Sequence, residues 1–144
     1  GKRPAFVVHA ARDADGPTLD RSQIIKGWIG KDGKAQERIF DVAVSGGRQI
    51  GQDGRCKTPV GSTVDVANAT YTNTIGAATL SAYWQDPAFD ATQRAFYYVR
   101  VIQIPSPRWT AYDQKRFGVT MPAYVPMTVT DRAYTSPIWY SPGE

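Results

Sequence analysis

The fold is decided by residues 94–104, RAFYYVRVIQI, the longest run of apolar, β-branched and aromatic residues in the chain. Pro105 closes the run, because proline lacks the next backbone donor. Alternate residues of a strand point to opposite faces. One face then carries Phe96, Tyr98, Ile102 and Ile104 around Arg100, and the other carries Tyr97, Val99 and Val101. A strand that is apolar on both faces is typical of the covered middle of a sheet, so we predict a central strand. A buried helix is the alternative for such a run.

Two strands, residues 22–29 and 35–44, form the clearest predicted hairpin. Between them, residues 31–34 read KDGK, and an Asp-Gly pair favours a two-residue type I′ turn. This turn sets the register of the two strands. It places Ile25 opposite Phe40 on one core face, and it brings Lys26 near Glu37 on the other face as a surface ion pair of small value.

The remaining strands are shorter. Residues 4–11 and 75–84 are rich in apolar and aromatic residues. Residues 133–140 form the last predicted strand, where Pro137 restricts it to a sheet edge or a bulge. Six or seven short strands without a long helix predict an all-β fold, an antiparallel β-sandwich of the Ig-like or jelly-roll-like kind. We expect long loops and at most one or two short helices.

A long excursion, residues 105–132, connects two of these strands. It contains four prolines and several aromatic residues, and its one plausible helix is residues 109–117. Long connections inside a domain are usually functional or pack as structured excursions. The excursion is therefore a candidate location for a binding site.

Composition indicates a single domain over residues 1–144. The chain has 144 residues, 42% of them hydrophobic and 21% charged, which is ordinary for a globular protein. No window has the roughly 18 apolar residues of a membrane span. The net charge of +4 is scattered rather than gathered in a stripe, so we predict no nucleic-acid binding. The basic start, residues 1–4, looks like the cut end of a longer chain.

The sequence contains no recognisable catalytic set. His9 is the single histidine and Cys56 the single cysteine, so neither a His-rich metal site nor a cysteine zinc site can form, and we predict no metal ligands. A hydrogen-bonded structural role for His9 and an incidental loop thiol for Cys56 are the favoured interpretations. A small enzyme using either residue is the competing hypothesis, and a Ser-His-Asp site stays open because its parts need not be adjacent.

The candidate contact loop lies at the start of the excursion. Its residues are Arg108, Trp109, Tyr112 and Arg116. Arginine, tryptophan and tyrosine are enriched at the centres of interfaces, and they would bind a carbohydrate, a peptide or a partner protein. In the alternative interpretation, Trp109 and Tyr112 fold back as a small cluster under the loop.

Four segments carry a resemblance to a known family. Residues 19–28, 69–77 and 94–112 resemble the C-terminal part of the bacterial domain-of-unknown-function family 3604. The ending, residues 133–140, resembles the last strand of polymerase-and-histidinol-phosphatase-like (PHP) proteins, which carry a β-sandwich after a catalytic barrel.

The resemblance implies an accessory role. Full-length members look like metal-dependent hydrolases of the PHP and amidohydrolase kind, with a divalent metal held by an N-terminal part that this chain does not include. No catalytic residue, metal ligand or cofactor carries over to this chain. The expected partner is the protein's own N-terminal catalytic domain, and a homo-oligomer stays open. The alternative is a stand-alone binding module that uses the candidate contact loop. The sequence leaves the compartment open, with a bacterial periplasmic or secreted protein among the alternatives.

Overall fold

The computed structural model describes residues 3–143, so Gly1 and Lys2 of the predicted cut end lie outside the described residues. In chain order the elements are β1 (Ala5–Ala11), β2 (Leu19–Ile29), β3 (Ala35–Val44), β4 (Thr79–Gln85), β5 (Ala95–Gln103), β6 (Ser106–Pro107), α1 (Trp109–Phe117), β7 (Thr128–Val129), β8 (Arg132–Tyr134) and β9 (Ile138–Tyr140).

The strand predicted to be central is central. β5 is hydrogen-bonded to β2 on one side and to both β8 and β9 on the other, in a five-stranded sheet with β3 at its far edge. All of these pairings are antiparallel. Since β8 and β9 pair with different parts of β5, the predicted last strand is two short ones on either side of Pro137. Its edge position is confirmed.

A second, two-stranded layer of β1 and β4 packs on one face of this sheet. Val8 from this layer meets Ile24 and Tyr97 of the large sheet in the buried core. Aromatic rings fill the space around them: Phe6 lies 5.0 Å from Tyr97, and Trp84 lies 4.9 Å from Phe40 between ring centroids. Two antiparallel layers over one apolar core confirm the predicted all-β sandwich.

The turn of the β2–β3 hairpin differs from the predicted type I′ turn. The Gly33 N–H donates to the Gly30 carbonyl at 2.9 Å, and the Gly30 N–H donates to the Lys34 carbonyl at 2.8 Å. Within the turn, only Gly33 has a positive φ, of 75°. This is a three-residue loop, in which a type I turn is followed by a glycine in the left-handed region. The loop is one residue longer than predicted.

That extra residue moves the hairpin register by one. Ile25 lies opposite Ile39 rather than Phe40, and Phe40 lies opposite Ile24. Because a one-residue slip sends every side chain of one strand to the other face, Phe40 shares the core face with Ile24, not with Ile25. The predicted register was wrong.

Lys26 is not a surface residue paired with Glu37. It lies in the core between the layers, 3% exposed, and its Nζ is 2.5 Å from a carboxylate oxygen of the fully buried Asp86. The Tyr97 hydroxyl donates to the same oxygen at 2.7 Å. Burial, and then the hydrogen bond to Asp86, raise the pKa of Tyr97 above its ordinary value. Asp86 is thus the acceptor at the centre of a buried polar cluster.

The long excursion is closed at its base. β6 pairs with β7, so the two ends of the excursion lie side by side. Between them α1 spans Trp109–Phe117, the bounds predicted from the sequence. The helix ends at Gly118, whose φ of 64° is the left-handed conformation that glycine adopts at helix ends.

Candidate functional site

Four aromatic rings form a row on the outer face of the five-stranded sheet, the face turned away from β1 and β4. We call Trp139, Phe96, Tyr98 and Tyr134 the aromatic row. Ring centroids are 5.2 Å apart for Phe96 and Trp139, 6.4 Å for Phe96 and Tyr98, and 6.2 Å for Tyr98 and Tyr134. The register explains the row, because Phe96 lies directly opposite Trp139 on the neighbouring strand.

Both ends of the aromatic row are exposed, and Phe96 and Tyr98 between them are half-buried. Trp139 is 72% and Tyr134 is 58% accessible to solvent. The predicted covering of β5 on both faces is therefore incomplete on this face, where Phe96 and Tyr98 are half-buried. Gly27 lies opposite Phe96, and a Cβ atom at this glycine would clash with the Phe96 ring. The ring thus lies close against the backbone of β2, a packing that requires glycine there.

One end of the aromatic row borders an apolar groove of about 480 Å³. Phe96, Trp139 and Ile29 line it, and Glu37 and Arg94 supply charges to its lining. Aromatic rings beside an open groove are typical of surfaces that bury area against a partner.

The other end of the row borders a polar pocket of about 440 Å³, which we call the arginine pocket. Its lining residues are Asp20, Arg21, Gln23, Arg55, Arg100, Ile102, Arg132 and Tyr134. The strand register brings three of them together, since Arg100 lies between Gln23 on β2 and Tyr134 on β8.

The buried carboxylate of Asp41 organises the base of the arginine pocket. It accepts hydrogen bonds from Gln23 Nε2 at 2.6 Å, from an Arg21 terminal nitrogen at 3.1 Å, and from the Cys56 N–H at 2.7 Å. Burial acts to lower the pKa of Arg21, but the nearby carboxylates of Asp20 and Asp41 outweigh it and raise that pKa above its ordinary value. The guanidinium of Arg21 is therefore a fixed charge.

Three of the four predicted contact residues lie on the helix of the excursion rather than on a loop. Trp109 is 61% and Tyr112 is 50% exposed, and Arg116 is also exposed. Their spacing of three and four residues puts them on one side of α1. Arg108 precedes the helix, with its guanidinium carbon 5.6 Å from the centre of a Trp109 ring. The alternative in which Trp109 and Tyr112 fold under the loop is wrong. Binding by these four residues stays a prediction.

Neither residue of the competing enzyme hypothesis lines the groove or the arginine pocket. His9 is exposed on β1, and its Nδ1 lies 2.8 Å from the Ser81 hydroxyl. Cys56 is buried, and its Sγ lies 3.5 Å from the Thr58 carbonyl oxygen. Among residues 3–143, no group of three or more His, Cys, Asp and Glu side chains is placed to hold a metal ion. In the same part of the chain, no helix is long and apolar enough to cross a membrane.

Sequence reasoning missed the outer face as a site. The alternation within residues 94–104 already placed Phe96, Tyr98 and Arg100 on one face. Nothing in the sequence placed Trp139 and Tyr134 beside them, because that contact depends on two short edge strands pairing with β5.

Comparison with known proteins identifies a family. No curated protein and no solved structure shows significant similarity to this chain. Residues 1–142 match the family described as "Protein of unknown function (DUF3604)". Because the match covers nearly the whole sequence, the chain belongs to this family.

Proposed function

We propose that this chain is the non-catalytic C-terminal β-sandwich of a metal-dependent hydrolase of the PHP kind. In this role it packs on the catalytic barrel and stabilises it. The observation that carries the proposal is the aromatic row, a set of large rings left uncovered on the outer face of the main sheet.

The chemistry of the row suits a permanent contact with another domain. A tryptophan or tyrosine buries about 150–250 Å² when covered, and such residues dominate interface energies. Trp139 stands beside an apolar groove and Tyr134 beside a polar pocket. An apolar centre flanked by polar groups is the common anatomy of a protein interface.

In this proposal the metal belongs to the catalytic barrel. The barrel would supply the ligands of a divalent ion and the reacting groups, and this chain would supply the docking surface. The excursion with α1 would then be available to reach the rim of the active site.

The test uses the full-length protein with Trp139→Ala and Tyr134→Ala. We expect the double variant to lower the unfolding temperature of the full-length protein by more than it lowers that of the 144-residue chain alone. The matched control is Tyr83→Ala, which removes another exposed ring from β4. Equal shifts in the two proteins, or metal-dependent hydrolysis by the 144-residue chain alone, would refute the accessory role.

A second candidate function is a stand-alone binding module that uses α1. The exposure of Trp109 and Tyr112 on one side of a short helix favours it, because flat rings of this kind stack on sugars and pack on proteins. Screening the chain against oligosaccharides and peptides tests this function. Trp109→Ala is the test variant, and Phe117→Ala is the control. A ligand lost only in Trp109→Ala supports the module, whereas a lowered unfolding temperature without any ligand assigns Trp109 to packing.

A further inference from the structure

We propose that the arginine pocket is a binding site for a tetrahedral oxyanion, the phosphate or sulfate group of a small ester. The site is separate from the apolar groove. Phe96 lines the groove and Arg100 lines the pocket, four residues apart on β5, which corresponds to about 13 Å along the strand.

Two arginines, Arg21 and Arg48, already neutralise the two carboxylates of this region, those of Asp20 and Asp41. Asp20 accepts from Arg48 at 2.5 Å and from the Arg21 Nε at 3.1 Å. Asp41 binds Arg21 at 3.1 Å. Two buried carboxylates are thus matched by two arginines. Any further cation lining the pocket contributes net positive charge.

Three further arginines line the pocket. Arg55 approaches the shared Asp41 carboxylate only through its Nε, at 3.4 Å. Arg100 uses only its Nε, and Arg132 has neither a hydrogen bond nor an ion pair within residues 3–143. Asp131 precedes Arg132 in the chain. It lines a separate groove together with His9, and it forms no ion pair with Arg132 within residues 3–143. In the described structure, the outer nitrogens of these three guanidinium groups have no protein acceptor.

The pocket holds Arg100 in place before a ligand arrives. The Arg100 Nε donates to Gln23 Oε1 at 2.7 Å, and Gln23 Nε2 donates to Asp41 at 2.6 Å. Gln23 and Asp41 are both buried, so this chain of hydrogen bonds is rigid. A guanidinium fixed through its Nε presents the remaining N–H groups as a fork, the geometry that binds two oxygens of one anion.

The number of donors indicates the ligand class. Three guanidinium groups whose outer nitrogens have no protein acceptor match the three free oxygens of a phosphate or sulfate ester, whereas a carboxylate offers two oxygens. Tyr134 presents an exposed ring at the same pocket. An ester with an aromatic or sugar ring next to the anion would stack on this side chain.

Calorimetric titration of the 144-residue chain with inorganic phosphate, inorganic sulfate, phenyl phosphate and phenyl sulfate tests the proposal. Potassium chloride keeps the ionic strength constant, because screening alone weakens charge contacts. We expect saturable binding of at least one inorganic anion with a Kd of about 1 mM, and tighter binding of its phenyl ester. Comparison of the two ester types shows which oxyanion the site prefers.

Arg100→Gln and Arg132→Gln should each weaken binding about tenfold, the loss of one charge-assisted contact. Arg132 is exposed on an edge strand, so its variant keeps the fold even if the Arg100 variant does not. Lys34→Gln and Lys57→Gln remove exposed cations elsewhere and should bind as the wild type does. The proposal is overturned if no anion saturates the wild type below about 10 mM, or if Arg132→Gln binds as tightly as the controls.

Discussion

Removal of the Asp86 carboxylate should destabilise this protein more than removal of any surface charge. Asp86 accepts three contacts in the core, from Lys26 Nζ, from the Tyr97 hydroxyl and from the Ala88 N–H. Asp86→Ala leaves the ammonium of Lys26 between the two layers, with the Ala88 carbonyl at 2.9 Å as its remaining acceptor. Burial has removed the water around this ammonium, and without Asp86 no counter-charge compensates for the lost hydration.

The magnitude follows from burial. Lys26 is 3% and Asp86 is 0% exposed, so solvent screens this pair very little. Removing one partner of a buried ion pair costs about 3–5 kcal/mol. In a chain of this size each kcal/mol corresponds to about 3 °C, and the unfolding temperature should fall by about 9–15 °C. The double variant Lys26→Met with Asp86→Leu removes both charges together. It should recover most of this loss, because an apolar pair of similar volume is often as stable as a buried ion pair.

Urea denaturation followed by tryptophan fluorescence measures these free energies of unfolding. Lys57→Ala is the control, since it breaks the exposed ion pair with Asp53, and we expect no measurable change. A loss below about 1 kcal/mol for Asp86→Ala, or a double variant as unstable as Asp86→Ala alone, would contradict the reasoning about burial.

Three further predictions concern glycine and thiol positions. Gly76→Ala should cost about 2–4 kcal/mol, since a Cβ there meets buried neighbours at a positive φ. Gly118 also has a positive φ but has open space around it, so Gly118→Ala should cost only about 1–2 kcal/mol. Urea denaturation of both variants measures the difference. Gly27→Ala should displace the Phe96 ring and change the near-ultraviolet circular dichroism, with the far-ultraviolet spectrum unchanged; an unchanged near-ultraviolet signal would contradict the packing. The buried thiol of Cys56 should react with an aromatic disulfide reagent only as fast as the protein opens, and rapidly in denaturant; equal rates in both states would contradict its burial.

Local patterns predicted the elements whose determinants are close together in the sequence. The central strand followed from a continuous apolar run, and Trp109–Phe117 was the one plausible helix of the excursion. The hairpin register required one more fact, the length of the loop. Asp32 and Gly33 suit both a two-residue and a three-residue loop, and the hydrogen bonds of Gly30 select the longer one. A single residue in the turn then decided which face Phe40 occupies.

Contacts between residues far apart in the chain could not be predicted from the sequence. Lys26 and Asp86 are sixty residues apart, and the local pattern placed Lys26 on the surface near Glu37. Only the packing of β1 and β4 over the main sheet brings these two groups into one dry space. The arginine pocket is a similar case, because Arg21, Arg55, Arg100 and Arg132 come from four distant parts of the chain.

The uncovered outer face links the fold to the proposed function. The composition of β5 is that of a strand covered on both sides, and the two-stranded layer of β1 and β4 covers only one of them. The helix α1 belongs to an excursion whose base is the β6–β7 pair, and it leaves Trp139 and Tyr134 in solvent. Burying a large aromatic side chain stabilises a contact by about 1.5–3 kcal/mol. A catalytic barrel placed against the aromatic row would complete the burial that the β5 sequence anticipates, and the same face would keep a cationic pocket beside the contact.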